Sequence, residues 1–376
     1  MKRRKVLIVG GGPRGIAVAV EAKYRGYDCT VIDKAPPMDS WSDAAPNMVM
    51  RSPLSFDLVY PGGAPTWSKY SLINYIHPGS TEPDWGDNLQ RGLEYMEERC
   101  TRDTFIEYAK HCLQELDIPV IRDRVLMVGS TWVRTPNDYI EGDLVVVASG
   151  LAPITQLPDW VEGVSHKLLT PREVIGGLPG GAYAVVGTGQ SAAECCELIA
   201  KQGHRVFWIL NNPPKVTQYP APSYYDWGEM TALGGYYRTL PTAAMRQAYL
   251  SSIKAWQPSI TPHIQTLIQQ KGDGITTLQG PGTREGQASW DTLQRKVSGV
   301  LLCTGSKPAI VDYGQTPITL GGRLVLDRFK ASNGVYHTGL LAIGYDGPRQ
   351  ASIISAGLTA KEILEDDNMG IKPELD

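Results

Sequence analysis

No run of about 18 apolar residues occurs in the sequence, so no membrane-crossing helix is expected. Basic residues are not in excess either. The 36 Lys and Arg stand against 39 Asp and Glu, a net charge of −3, which excludes the strongly basic surface that nucleic acid selects. The six cysteines, Cys29, Cys100, Cys112, Cys195, Cys196 and Cys303, include no C-x-x-C pair and no zinc spacing. They are expected as reduced, mostly buried thiols. The six histidines show no metal-ligand spacing, so no metal site is expected. The start, Met1-Lys-Arg-Arg-Lys5 followed by Val6-Leu-Ile-Val-Gly10, has the outline of a signal peptide, but its apolar core is too short. A buried first strand and a cytoplasmic location are expected instead.

What is present is a repeat. The chain has 376 residues, 42 % of them apolar and 20 % charged, the composition of a globular protein with two domains. Val6–Val9 reads as a strand, Gly10-Gly-Gly-Pro-Arg-Gly15 as a turn, Ile16–Tyr24 as a helix and Cys29–Ile32 as a second strand ending at Asp33. The order returns at Ala182–Val186, Gly187-Thr-Gly-Gln-Ser-Ala192, Ala193–Lys201 and Arg205–Leu210. Each copy is followed by a strand ending in a small residue and glycine: Leu144–Ala148 with Ser149-Gly150, and Val300–Cys303 with Thr304-Gly305. A helix is expected over 102–116, and further helix over 243–271, broken by Pro258 and Pro262. Leu340–Ile343 reads as a last strand and Ala351–Leu364 as a final helix.

Gly10, Gly12 and Gly15 fit G-x-G-x-x-G. The first glycine permits a tight turn, the second lets backbone approach a pyrophosphate, and the third lets helix and strand pack closely. The helix N-terminus offers free N–H groups and a positive dipole to phosphates. Asp33 stands where an acid accepts from ribose hydroxyls. The second turn, Gly187, Gly189 and Ala192, is the accepted G-x-G-x-x-A variant. Its strand ends at Asn211-Asn212, with neither acid nor arginine, and Lys215 follows. The missing acid favours a 2′-phosphate, hence NADPH, with NADH still open. Gln190 and Ser191 either contact nicotinamide phosphates or cap the helix.

Two such turns in this order resemble the two-dinucleotide-binding flavoproteins. Gly187-Thr-Gly-Gln-Ser-Ala-Ala-Glu194, Met48-Val-Met-Arg-Ser-Pro-Leu-Ser-Phe-Asp-Leu58, Thr101-Arg-Asp-Thr-Phe-Ile-Glu-Tyr108 and Leu341-Ala-Ile-Gly-Tyr-Asp346 are similar to stretches of the flavin-dependent N-hydroxylating monooxygenases. The resemblance covers nearly the whole chain. It departs from the pattern where Tyr345 interrupts Gly344 and Asp346, and where Ser298 replaces the acid that Asp143 supplies in the first copy. It implies an α/β fold of two Rossmann-like dinucleotide-binding domains. A nicotinamide domain, 155–305, is inserted into a discontinuous FAD domain, 1–154 and 306–376.

FAD would be held by Gly10, Gly12, Pro13, Gly15, Asp33, Lys34, Trp41, Val125, Ser149 and Gly150, with Gly344, Asp346 and Ala351 from the C-terminal segment; packing in the core is the other reading of Trp41. Gly187, Gly189, Gln190, Ser191 and Gly305 would hold the nicotinamide cofactor. Disulfide-reductase relatives need two thiols near the flavin, and none follows Asp33 until Cys100. Cys195 and Cys196 are neighbours on a helix, pointing about 100° apart, and make no exchange pair.

The implied chemistry is reduction of FAD by NAD(P)H, formation of a C4a-(hydro)peroxyflavin from O2, and oxygenation of a small nucleophilic substrate, an amine. The cofactor carries that chemistry, so no hydrolase-type triad is required. Arg51, Ser52 and Arg349 are the candidate catalytic residues; a surface ion pair is the other reading of Arg51, and a solvated loop that of Arg349. The aromatic stretch Tyr219–Trp227 with Tyr236 and Tyr237 reads as a substrate cover, a subunit interface or ordinary packing. A homo-oligomer is left open. The competing functions are a flavin dehydrogenase or oxidase without oxygen insertion, and a non-enzymatic flavin-binding redox sensor.

Overall fold

The computed structural model describes residues 3–46, 48–52, 54, 58, 69–79, 98–153, 160, 164, 167–216, 236–237, 239–252, 259–281, 284–309, 311–314, 318–320, 323–338 and 354–366. The first run of elements is β1 (Lys5–Val9), α1 (Pro13–Tyr24), β2 (Asp28–Asp33), α2 (Arg102–Glu115), β3 (Val120–Arg122), β4 (Leu144–Val147) and β5 (Leu151–Pro153). The second is β6 (Leu168–Leu169), α3 (Pro171–Gly176), β7 (Ala182–Val186), α4 (Gln190–Lys201), β8 (Arg205–Leu210), α5 (Pro262–Gln270), β9 (Ile275–Gln279), α6 (Arg284–Leu293) and β10 (Gly299–Leu302). β11 (Ser306–Pro308), β12 (Tyr336–His337) and α7 (Ile354–Asp366) follow.

The chain is an α/β protein with two parallel five-stranded sheets, ordered β12-β4-β1-β2-β3 and β9-β8-β7-β10-β6. Both sheets are covered on both faces, which is why their central strands read as unbroken apolar runs. In β1, Val6 and Ile8 enter the core beneath α1, α2 and α7, while Leu7 and Val9 enter a second core on the other face. In β7, Tyr183 and Val185 pack under α4 and α5, while Ala184 and Val186 face Trp290 and Leu293 of α6. The sheets are joined by the antiparallel pair β5–β11, with Leu151 opposite Pro308 and Pro153 opposite Ser306.

Both turn helices begin earlier than the apolar pattern suggests. α1 starts at Pro13 rather than Ile16, because Pro fits the first helical position and Gly12 is the N-cap. α4 starts at Gln190 rather than Ala193, with Gly189 as N-cap and no side-chain cap, so Ser191 does not cap this helix. The stretch 243–271 contains two helices, Ala243–Ser252 and α5, and Pro262 opens α5 at a first-turn position behind the capping Thr261. The expected strand Leu340–Ile343 lies outside the described residues, as do 351–353 of the final helix.

α7 docks on α1 from the far end of the chain. Ala356, Ala360, Ile363 and Leu364 are buried there with Ile16 and Val20. Truncating the fully buried Ile363 to alanine should cost about 2–5 kcal/mol. A calorimetric scan should show a melting temperature lower by several degrees; an unchanged one would contradict this docking.

Candidate functional site

The two glycine turns sit at the C-terminal ends of β1 and β7, and they are built alike. Gly10 N donates to Ile32 O at 2.9 Å, and Gly187 N donates to Ile209 O at 3.0 Å. Ala148 N donates to Val9 O, and Cys303 N to Val186 O, so each following strand closes on its turn in the same way. Gly10 has φ +115° and Gly187 φ +141°; a Cβ on either would lie 2.3 Å from the carbonyl oxygen of Ala148 or Cys303. Gly12 (φ −83°, ψ −178°) and Gly189 (φ −91°, ψ 178°) are extended N-caps. Only the third position differs. A Cβ on Gly15 would lie 1.8 Å from Gly10 O, whereas Ala192 carries one, so α4 stands further from its strand.

Among the described residues, a Cβ added to Gly12 meets nothing within 4 Å, although the residue lies between a strand end and a helix start. That space, faced by the N-terminal end of α1, is the cradle that a pyrophosphate requires. Asp33 stands at its edge. Oδ2 accepts from Gly11 N at 2.6 Å and Oδ1 from Ala35 N at 3.0 Å, which fixes the carboxylate while each oxygen keeps a lone pair for a hydroxyl donor. The residues present therefore fit a dinucleotide at this turn.

The other sequence-selected residues are distributed around this frame. Lys34 is exposed beside Asp33, and Pro13 opens α1. Trp41 is half-buried against Phe105, ring centroids 5.2 Å apart, in the core that covers α1. Val125 packs on the opposite face of the sheet, against the core of Leu7 and Val9. Ser149 Oγ donates to Ala309 O, and Ala309 N donates to Gly150 O, so this strand end is tied to the segment after β11. Gly150 (φ +71°) and Gly305 (φ +102°) occupy equivalent places after β4 and β10. Ser52 is half-buried. Gly344, Asp346, Arg349, Ala351 and the stretch Tyr219–Trp227 lie outside the described residues.

At the second turn, Trp208 Nε1 donates to Gly187 O at 2.7 Å and fixes the loop from the neighbouring strand. Asn211, Asn212 and Lys215 are exposed beyond the end of β8. The Gln190 amide is turned to protein groups. Its Oε1 accepts from Thr261 N at 2.8 Å, and its Nε2 donates to Glu194 at 2.8 Å. Arg51 crosses to the second sheet: Nη2 donates to Ser259 Oγ at 2.9 Å and Nη1 to Ser259 O at 3.4 Å.

Sequence reasoning missed two features here. Glu194 is buried on α4, where burial pushes its carboxyl up to about 7, against the opposing pull of the Gln190 hydrogen bond and the Arg51 charge. An acidic residue inside the otherwise small and apolar run Ala192–Cys196 was the available signal. The second is a thiol contact. Cys195 meets Cys303 of the next strand rather than its sequence neighbour, and hydrogen bonding to Cys195 with burial raises the Cys303 thiol well above its usual range. All six cysteines are free thiols. Among the described residues no group of acids, histidines and cysteines could hold a metal ion, and no helix is long and apolar enough to cross a membrane.

No protein-family model and no curated protein matches this sequence. Solved structures do share its fold. L-lysine 6-monooxygenase from Pseudomonas syringae superposes with a TM-score of 0.70 at 18 % identity, over 98 % of this chain and 100 % of that one. An ornithine N-hydroxylase from Kutzneria sp. 744, with reduced FAD, NADP+ and L-ornithine, gives 0.70 at 15 % identity, over 98 % and 99 %. Bacillithiol disulfide reductase from Staphylococcus aureus gives 0.57 at 14 % identity, over 97 % and 99 %. The α/β class with parallel sheets expected from the sequence is common to all three.

Behind the first turn lies a buried cation. Arg14, 8 % exposed, donates from Nη1 to Thr338 O at 2.6 Å, joining α1 to the end of β12. Burial, with the Arg14 charge as a lesser cause, pushes the neighbouring His337 down to about 4, so it is neutral at neutral pH. The unfolded chain takes up this proton near the ordinary value of about 6.5 and the folded protein does not. Stability is therefore full above pH 6.5 and falls between there and about 4, by about 3 kcal/mol. His337→Gln should flatten that limb in denaturant titrations at stepped pH; superimposable acid limbs would contradict it.

Proposed function

We propose that this chain is a flavin-dependent monooxygenase. It binds FAD at the first glycine turn, takes electrons from NADPH at the second, and delivers one oxygen atom of O2 to a small nucleophilic substrate, an amine. The observation that carries the reading is the duplicated strand–turn–helix–strand unit, with Gly10 and Gly187 making equivalent backbone bonds. Support for the reaction class comes from the fold shared with the lysine and ornithine hydroxylases over nearly the full chain. The exchange thiols that the disulfide-reductase pattern needs are missing after Asp33, where no cysteine stands until Cys100.

In this reading the two sheets are the centres of two Rossmann-like domains, with 155–305 inserted between 1–154 and 306–376. The backbone of Gly10–Gly15 and the N-terminus of α1 hold the FAD pyrophosphate, and Asp33 accepts from the ribose. Ser149 and Gly150 hold the strand end beside the turn, with Gly344, Asp346, Arg349 and Ala351 assigned to the flavin end. Gly187, Gly189 and the first turn of α4 hold the nicotinamide cofactor, closed over by Gly305. Asn211, Asn212 and Lys215 leave room for a 2′-phosphate and present no carboxylate to repel it. When bound, FAD supplies electron acceptance from the nicotinamide and activation of dioxygen. The reduced thiols fit a cytoplasmic protein.

Gly12→Ala fills the cradle without touching any described residue, so the variant should fold, with an unchanged far-ultraviolet spectrum, yet lose most of the flavin absorbance on purification. Full flavin retention would place the pyrophosphate elsewhere. Turnover of a panel of primary amines with NADPH and isotopically labelled dioxygen should give product carrying one labelled oxygen atom. Peroxide alone, with dehydrogenated product or none, would replace the monooxygenase with an oxidase.

A further inference from the structure

We infer that Arg51 and Glu194 are a positioning pair that locks the second glycine turn to the first half of the molecule through Gln190, Thr261 and Ser259. This rests on the second turn being the nicotinamide site. The geometry is a chain of hydrogen bonds from two sides. From the α4 side, Glu194 accepts from Gln190 Nε2 at 2.8 Å, and Gln190 Oε1 takes the backbone N–H of Thr261 at 2.8 Å. Thr261 in turn caps α5 by accepting from Ile264 N. From the other side, Arg51 holds both the hydroxyl and the carbonyl of Ser259, two residues before Thr261. Gln190 is the first residue of α4, so its conformation sets the turn residues Gly189 and Ser191 on either side.

Glu194 is only 3 % exposed, and a buried carboxylate needs a compensating charge. Arg51 supplies one, from a segment far from it in sequence. Among the described residues, the other groups around Glu194 are uncharged, paired elsewhere or exposed. Gln190 is neutral and Cys303 is an un-ionised thiol. Lys271, at the end of α5, lies 3.7 Å from Glu197, and His263 on the first turn of α5 is exposed. On α3, Glu173 is held by the Thr170 cap and Arg172 by Asp39 and Asp43. The carboxylate form of Glu194 thus holds Arg51, and Arg51 favours the carboxylate. The protonated form releases that attraction while keeping the hydrogen bond from Gln190.

The consequence is a nicotinamide affinity that follows the ionisation of Glu194, tighter on the alkaline side. The test is NADP+ binding to the FAD-loaded protein, by calorimetry from pH 5.5 to 9, with Arg51→Met, Glu194→Gln and the double variant. Each single variant should weaken binding at pH 8.5 by on the order of tenfold, and the double no more than the worse single. The wild type should show a binding midpoint near 7, absent in Glu194→Gln and shifted upward in Arg51→Met. Comparison with Glu194→Gln at each pH removes the titration of the nucleotide's own phosphate. Additive losses, a midpoint unmoved by Arg51→Met, or affinity falling with rising pH would overturn the pair.

A second readout needs no nucleotide. Hydrogen exchange at the Thr261 and Ile264 amides should quicken in both single variants, and the Arg51→Met effect should shrink in a Glu194→Gln background. Unchanged exchange would overturn the lock whatever the cofactor. If the wild type binds no nicotinamide at any pH while the exchange result holds, the lock stands and it is the reading of the second turn that fails.

Discussion

Everything at the two glycine turns depends on one steric constraint: a carbonyl oxygen occupies the place where a side chain would begin. At Gly10 it is the oxygen of Ala148, and at Gly187 that of Cys303, each 2.3 Å from the missing Cβ. The turn can form only if the third strand ends beside it, and that strand can end there only if the turn lacks a side chain. The small-residue and glycine endings after β4 and β10 belong to the same contact. A helix start brought this close to a strand end points its unpaired N–H groups at one spot, and in the first copy the Gly15–Gly10 approach makes the fit tighter still.

The two halves meet by a different principle. The described contacts between them are polar. Arg172 reaches Asp39 at 2.8 Å and also Asp43, Arg51 reaches Ser259, and the chain crosses at β5 and β11. The Arg172 pairs are exposed, and exposed ion pairs contribute little in water. The Arg51 contact is partly buried, and its charge pulls against the burial that pushes the Glu194 carboxyl up to about 7.

The repeat was legible because each element of it is a local pattern. Buried parallel strands leave short apolar runs, and a glycine turn leaves its spacing, so β1, β2, β7 and β8 could be read to within a residue. Helix starts were misplaced because the first turn of α1 and α4 is made by cap and proline geometry rather than by apolar periodicity. β12, two residues long, joins the first sheet only through contacts with β4, which no local pattern announces. The same limit hid the thiol contact. Cys195 was weighed against Cys196, its neighbour in sequence, while the fold sets it against Cys303. By sequence Arg51 is a candidate near the cofactors, but Ser259, which it holds, lies 208 residues away, beyond any motif.

The antiparallel crossing of β5 and β11 has a genetic meaning as well as a mechanical one. Where the chain passes out of the first half at Pro153 and returns at Ser306, the two residues face each other across a strand pair, about 5 Å apart. A segment whose two ends are that close can be removed, replaced or exchanged between genes without tearing the sheet that flanks it. The second half is in that sense a cassette. Its glycine turn can change on its own evolutionary clock, while the turn at Gly10 stays as it is.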